Sequence, residues 1–380
     1  MKVALTGGGS GGHFYPLIAV AEALEDISKE RHLIEPELCY IGPAPFDPAA
    51  LQEHDIRHYE TSAGRIRYYR SALNFLGLFK TAWGIILATI KLFGIYPDVV
   101  FSTGGFAAYP ALVAARLLKI PVIIYDADSS PGRVSIWSSK FARFIAIAHP
   151  DAAKQFGDKV QHLIARVGHP IRKEIESPAR EGGYEFLGLE KSVPTVFVMG
   201  GSQGAVTINN AVLDALPELV NHYNIVHQTG AVNLVETTRV ARLVLRNHDH
   251  EKRYRAFGLL NTLALRMTAG ITSLVIARAG SGTIFEIASW GIPSILIPIP
   301  RDVSHDQTEN AFSYARAGAS VVLEQQNLTQ HLLLAEIERI LNNQPLRDKM
   351  SDAARKFARK DSARKIAEVL IETALEHEPR

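Results

Sequence analysis

At 380 residues the chain is long for a single core and well suited to two domains. Hydrophobic residues make up 47% and charged residues 21%, an ordinary globular composition. Lys plus Arg is 41 against 39 acids, a net +2 that gives no support to a nucleic-acid binder, and a single cysteine excludes an internal disulfide or a thiolate-rich metal site.

Short β-rich runs alternate with longer helical ones, the pattern of an α/β protein with largely parallel sheets. The opening MKVALTGGG has no apolar run after Lys2, so Lys2 to Thr6 reads as a first strand rather than a signal peptide. A helix follows over Pro16 to Lys29, with Leu17, Val20, Ala21 and Leu24 on one face. The next strand, Glu37 to Ile41, contains Cys39, read as a small buried hydrophobe. Gly64 to Arg70 is basic and aromatic, and Phe75 to Ile95 is apolar. Lys80 and Lys91 leave only ten residues between them, short of the roughly 20 a spanning helix needs, so a buried or interfacial helix is expected. Strands are expected at Val99 to Ser102, Pro121 to Tyr125, Phe144 to Ala148 and His162 to Val167, with helices at Tyr109 to Leu118 and Arg133 to Phe141.

Glu174 to Gly183 (EIESPAREGG) is polar and carries proline and glycine, as an exposed connection does. The pattern then restarts with a strand over Thr195 to Met199 and a helix over Val206 to Leu216. Strands recur at Tyr223 to Gln228, Leu274 to Ala277, Ser294 to Pro298 and Ser320 to Leu323, and helices fill Leu328 to His377. Two Rossmann-like halves follow from this repetition, and ligands of such sheets bind outside the carboxyl ends of the strands.

Three glycine-rich segments sit at those ends. Thr6 to His13 (TGGGSGGH) contains a GxGxxG-like pattern, but no acidic residue closes a second strand about 20 residues on, and the P-loop lysine is absent. His13 suits a general base acting on a hydroxyl, with a capping or packing histidine as the plainer alternative. Gly200 to Ala205 (GGSQGA) again links strand to helix, where backbone N–H groups and the Ser202 hydroxyl suit a diphosphate; a tight turn packed for its own sake is the alternative. Arg278 to Glu286 (RAGSGTIFE) permits close approach to a phosphate or sugar, and Glu286 suits the two hydroxyls of a ribose. Asp302 to Ala311 (DVSHDQTENA) clusters His305, Asp306, Gln307 and Asn310, and reads as sugar recognition or as a solvated loop.

In this order, TGGGSGGH, GHPIR, GGSQGA, RAGSGTIFE and HDQTENA resemble the MurG family of peptidoglycan glycosyltransferases over nearly the whole chain. The resemblance implies a GT-B fold, two Rossmann-like domains facing a cleft. It implies an acceptor-binding, membrane-associating domain over 1–170, a UDP-sugar domain over 171–355, and a C-terminal helix over 356–380 packing back on the first domain. It implies inverting transfer of N-acetylglucosamine from UDP-GlcNAc to lipid-linked muramyl-pentapeptide, in the synthesis of the cell wall on which shape and division depend. His13 is then the catalytic base, or a carboxylate takes that part, with Ser10, Gly11, Gly12 and Asp128 at the acceptor. Arg172, Ser202, Gln203, Gly204, Leu259, Ser281, Gly282, Thr283, Glu286 and Gln307 face the donor. The implied partners are UDP-GlcNAc, an undecaprenyl-linked acceptor and the cytoplasmic face of the cell membrane, held peripherally, with other cell-wall synthesis proteins as further partners and no nucleic acid. No tightly bound cofactor and no structural metal is expected, a loosely held Mg or Mn at the diphosphate remaining open.

Two departures from the family pattern stand out. Where the family has His-Glu-Gln-Asn before Pro-Gly, this chain has Tyr125-Asp126-Ala127-Asp128 and then Ser129-Ser130-Pro131-Gly132. An aspartate near a diphosphate is unfavourable unless it meets a hydroxyl or ammonium. The helix-opening aspartate common in the family is also missing from Met267 to Thr272. Other readings remain: a transferase with a different glycolipid acceptor, a UDP-sugar epimerase, a binding protein that kept the fold without turnover, and, least supported, a nicotinamide oxidoreductase.

Overall fold

The computed structural model describes residues 1–64, 72–201, 204–303 and 305–377; the side chains of 72–76, 305 and 377 fall outside that description. The chain divides into two compact units, Met1–Arg172 with Arg359–Arg380, and Lys173–Ala358.

The first unit is built on seven parallel strands among the described residues: β1 (Lys2–Thr6), β2 (Glu37–Gly42), β3 (Arg57–Glu60), β4 (Val99–Ser102), β5 (Val122–Asp126), β6 (Phe144–Ile147) and β7 (Ile164–Arg166). Their spatial order is β3-β2-β1-β4-β5-β6-β7. Val99, Val100 and Phe101 are buried, as expected of a central parallel strand covered on both faces. The helix Ala72–Ile95 packs along Tyr109–Leu117 through Ala88 and Leu92; at Gly84 a Cβ would lie 3.3 Å from Pro110 Cγ and 1.6 Å from the carbonyl of Ser62 in the preceding segment. The C-terminal helix Ser362–His377 lies on the helix Gly11–Glu30, burying Ile366, Leu370 and Ile371. Arg364 bonds Glu30 at 2.8 Å, and Ser362 donates to the Val167 carbonyl at 3.0 Å.

The second unit repeats the plan with β8 (Thr195–Met199), β9 (Asn224–Gln228), β10 (Tyr254–Phe257), β11 (Thr272–Ala277), β12 (Ser294–Leu296) and β13 (Ser320–Val322), ordered β10-β9-β8-β11-β12-β13. Its core joins Val196, Val198, Leu274 and Ile276 to Ile208, Val212 and Leu216 of the helix Val206–His222. Both sheets are doubly wound and parallel, so the α/β expectation holds.

Four local expectations are corrected. The first helix starts at Gly11, not Pro16: Ser10 accepts from the His13 and Phe14 amides at 3.2 Å, and buried Phe14 anchors this early turn against Tyr40. The connection after Arg172 is not wholly exposed, because Lys173–Glu176 forms a helical turn around buried Ile175, whose carbonyl accepts from the Trp290 indole. Asp302 to Ala311 is largely helical, within His305–Arg316, since Asn310, Ala311 and Tyr314 provide a buried stripe. Strands β3 and β10 escaped sequence reading: both are short edge strands, and most of their residues are only partly buried.

Candidate active site

In each sheet the strand order reverses once, between β1 and β4 in the first unit and between β8 and β11 in the second. Connections depart to opposite faces at such a switch point, leaving a crevice at the carboxyl ends of the two strands. The glycine segments singled out by sequence leave those strand ends.

In the first unit, residues 7–13 leave β1 and residues 103–106 leave β4. The two segments are pressed together: a Cβ on Gly7 would lie 1.9 Å from Thr103 Oγ1, so only glycine fits. Tyr40 donates to the Gly7 carbonyl at 2.6 Å, and Thr103 Oγ1 donates to the His13 carbonyl at 2.6 Å. His13, half-buried in the first turn of its helix, has Nδ1 2.8 Å from the Thr103 carbonyl. A carbonyl only accepts, so Nδ1 carries a hydrogen, and in the neutral tautomer this leaves the lone pair at Nε2. Nε2 points past Gly105, where a Cβ would lie 3.6 Å away. This is the tautomer a base needs, oriented by a main-chain group that cannot titrate. Ser10 and Gly12 are exposed and Gly11 half-buried; Ser10 caps its helix without using its hydroxyl.

Sequence reading overlooked Thr103 to Gly105, although an apolar strand ending in Ser-Thr-Gly-Gly repeats the signal it used elsewhere. It also missed the interior histidines beside Asp128. His149 and His169 are buried, and burial lowers their basicity to about 4 and about 3. Tyr125 OH lies 2.6 Å from His169 Nδ1. Asp128 is half-buried and electrostatically coupled to both histidines, with the negative carboxylate favouring their protonated forms against burial. Asp126 turns its carboxylate inward to the amides of Asp128 (3.2 Å) and Gly132 (3.3 Å); burial, then the charge of Asp128, pushes it up to about 7. Arg172 belongs to this unit, its guanidinium 4.2 Å above the ring of Tyr15, two residues after His13.

In the second unit the chemistry is almost wholly main-chain. The helices Val206–His222 and Ser281–Trp290 begin after Ala205 and Gly280, N-cap residues with no polar side chain of their own, and such helix starts suit an anion. Gly204, at φ +76°, sits where a Cβ would come 2.3 Å from the Thr229 carbonyl and 2.2 Å from Asn233 Nδ2. Open space surrounds Gly280, and Ser281 is buried beside half-buried Gly282 and Thr283. Glu286 is half-buried in the second turn of the same helix. Arg278 braces the segment, donating to the Ile297 and Pro298 carbonyls and to Gln325 Oε1 at 2.7 Å. Gln307 accepts from the Ile299 amide at 3.2 Å, and Asn310 donates to the Ala279 carbonyl at 3.4 Å. Leu259 is exposed, and the Leu260 amide donates to Gln228 Oε1 at 3.2 Å. Ser202 and Gln203, and the basic segment through Arg70, lie outside the described residues, as does the His305 side chain.

The glycosyltransferase family 28 N-terminal domain matches residues 3–147, and the family 28 C-terminal domain matches residues 195–368. The chain is therefore a family 28 glycosyltransferase, and its architecture is that of the GT-B class. A Treponema denticola UDP-N-acetylglucosamine--N-acetylmuramyl-(pentapeptide) pyrophosphoryl-undecaprenol N-acetylglucosamine transferase is 32% identical to it, covering 97% of this chain and 96% of the relative. A Bacillus cereus enzyme named as number 2 of the same activity is 31% identical over 98% of this chain and 99% of its own length. The chain belongs to this transferase family, the MurG family. Among solved structures, Acinetobacter baumannii MurG superposes with a TM-score of 0.72 at 23% identity, covering 98% of this chain and 99% of that one. A Neisseria meningitidis UDP-GlcNAc 2-epimerase bound to UDP-GlcNAc gives 0.66 at 15% identity, covering 98% of this chain and all of that one. At these identities the likeness speaks to the fold alone.

Proposed function

We infer that this chain transfers N-acetylglucosamine from UDP-GlcNAc to lipid-linked muramyl-pentapeptide with inversion at the anomeric carbon. The near full-length identity to transferases of that activity carries the reading. The acceptor hydroxyl gives its proton to His13 Nε2 while its oxygen bonds the anomeric carbon. The bond from that carbon to UDP breaks, and UDP leaves with the electron pair. The amides opening Val206–His222 and Ser281–Trp290, with Ser202, Gln203, Gly204, Ser281, Gly282 and Thr283, receive the diphosphate charge that grows in the transition state. Glu286 holds the ribose, Gln307 the GlcNAc hydroxyls, and the Leu259 region the uracil. Ser10, Gly11 and Gly12 meet the acceptor diphosphate beside Asp128, and Arg172 contributes positive charge. The donor is a substrate; a divalent ion, Mg or Mn, assists the diphosphate only loosely.

Peripheral attachment to the cytoplasmic face of the membrane completes the reading. Phe79, Trp83, Ile90 and Phe93 are 63%, 58%, 65% and 69% exposed and, with Ile86, recur every three or four residues along one helix face. By length and composition Gly77–Ile95 is able to cross a membrane, but its other face packs on Tyr109–Leu117. Lys91 donates to the Glu60 carbonyl at 2.6 Å, tying the helix to β3. An amphipathic helix held this way lies on a bilayer.

A donor and acceptor panel with purified protein tests the function. UDP release from UDP-GlcNAc only when muramyl-pentapeptide lipid is present is expected. Release or 2-epimerisation of the donor without that lipid would replace the reading with an epimerase, and transfer to another glycolipid would replace the acceptor.

A further inference from the structure

The second unit holds a polar cavity of about 270 Å³ at the amino ends of β11 and β12, bordered by Thr272, Ser273 and Pro293. Its strands are parallel, so this is the end opposite the glycine segments. The six residues of β11 alone separate the two by roughly 20 Å at about 3.3 Å per residue.

Three arginines, Arg180, Arg347 and Arg355, line the cavity; Asp348, the one carboxylate among its lining residues, accepts from Gln344 Nε2 at 2.6 Å, and Arg355 also pairs with Asp352 beside it at 3.4 Å. Arg347 Nη2 donates to Gln344 Oε1, but its Nε is buried with no hydrogen-bond acceptor. A guanidinium held by a neutral amide keeps its charge uncompensated, and an oxyanion meeting its outer nitrogens compensates it. Arg347 also stands in the first turn of the helix Gln344–Phe357, a turn without acidic residues. A cation there opposes the helix dipole unless an anion shares the site. Across the cavity the Arg355 side chain lies flat on the backbone at Gly291: a Cβ there would come 2.6 Å from Arg355 Nε. Half-buried Ser273 and Ser351 add hydroxyls to the wall.

We propose that this cavity is a second anion site, for a small soluble phosphate-bearing ligand, separate from the donor-binding segments. A planar guanidinium fork with serine hydroxyls matches a phosphoryl group. Among the described residues lining it none is an exposed large hydrophobe, so no apolar border is offered to a lipid chain.

The test uses the full chain saturated with UDP, so that phosphate cannot report on the donor side. Potassium phosphate is titrated by calorimetry and thermal unfolding against potassium chloride at matched ionic strength. Saturable phosphate binding is expected in the parent protein. Arg347→Gln and Arg355→Gln should each weaken it about tenfold, the loss of one charge-assisted bond, with UDP affinity unchanged. Ser351→Glu, which removes no arginine, should abolish it. A phosphate response equal to that of chloride, or one unaltered in all three variants, would overturn the proposal. Binding to phosphatidic-acid vesicles that Arg347→Gln removes, without binding of free phosphate, would overturn the soluble ligand.

Discussion

The two switch-point crevices share a topology and differ in what lines them. In the first unit the crevice and its floor are rich in titratable groups: His13, Asp126, Asp128, His149 and His169. In the second, the corresponding position among the described residues is a pair of helix starts with hydroxyls and glycines, and its arginine donates to carbonyls. Helix amides hold negative charge without exchanging protons, whereas an imidazole fixed at Nδ1 moves a proton without needing charge around it. One fold repeated within a chain thus offers an oriented imidazole in one half and helix amides in the other.

His13→Ala is the substitution expected to separate the halves most strongly. Steady-state kinetics should show kcat reduced by about 10²- to 10⁴-fold, the usual worth of a general base, with the KM for UDP-GlcNAc little altered. Glu286→Ala acts on the other half. A lost hydrogen bond to a charged group, about 1.5–3 kcal/mol, should weaken UDP-GlcNAc binding roughly ten- to hundredfold, and unchanged affinity would remove Glu286 from the ribose. Gly105→Ala removes no reacting group. At φ +77°, with a Cβ 3.1 Å from the Gly8 carbonyl and close to His13 Nε2, it should lower kcat about tenfold by misplacing the ring, with UDP binding intact.

The smallest effect is on stability against pH, where the buried histidines and Asp126 should act with opposite sign. In the second unit His227, between Tyr254 and Asn209, is held neutral by burial, its basicity lowered to about 3. The unfolded chain takes up a proton below about 6.5 that the folded one refuses, so stability falls on acidification from there. His149 and His169 act likewise, but Asp126 acts oppositely. Its carboxyl stays protonated to about 7 when folded and ionises near 4 when unfolded, so its contribution is lost as pH rises between those values. Denaturant titrations from pH 4 to 7 should show Asp126→Asn losing stability on acidification more steeply than the parent. His227→Gln should be destabilised near neutral pH but flatter with pH.

Much of the frame was legible because its signals are local. Buried strands such as Val99 to Ser102 announce themselves by continuous apolar residues, and the glycine segments by composition at strand ends. What stayed hidden depends on contacts distant in sequence. Thr103 fixes the His13 tautomer from 90 residues away, and nothing near His149 or His169 says that each is buried close to Asp128. The helix after Ser304 was obscured by its charged face, only its buried stripe giving it away. Nothing in RAGSG assigns Arg278 a part, and only the carbonyls of Ile297 and Pro298 reveal a brace.

Calorimetric titration of UDP into the His13→Ala and Gly204→Ala proteins tests the division between the units most directly. Gly204→Ala forces a Cβ onto the Thr229 carbonyl and should weaken UDP by about tenfold or more, while His13→Ala binds UDP as the parent does. Equal loss in both, or loss in His13→Ala alone, would contradict the assignment of the donor to the second unit and of the proton to the first.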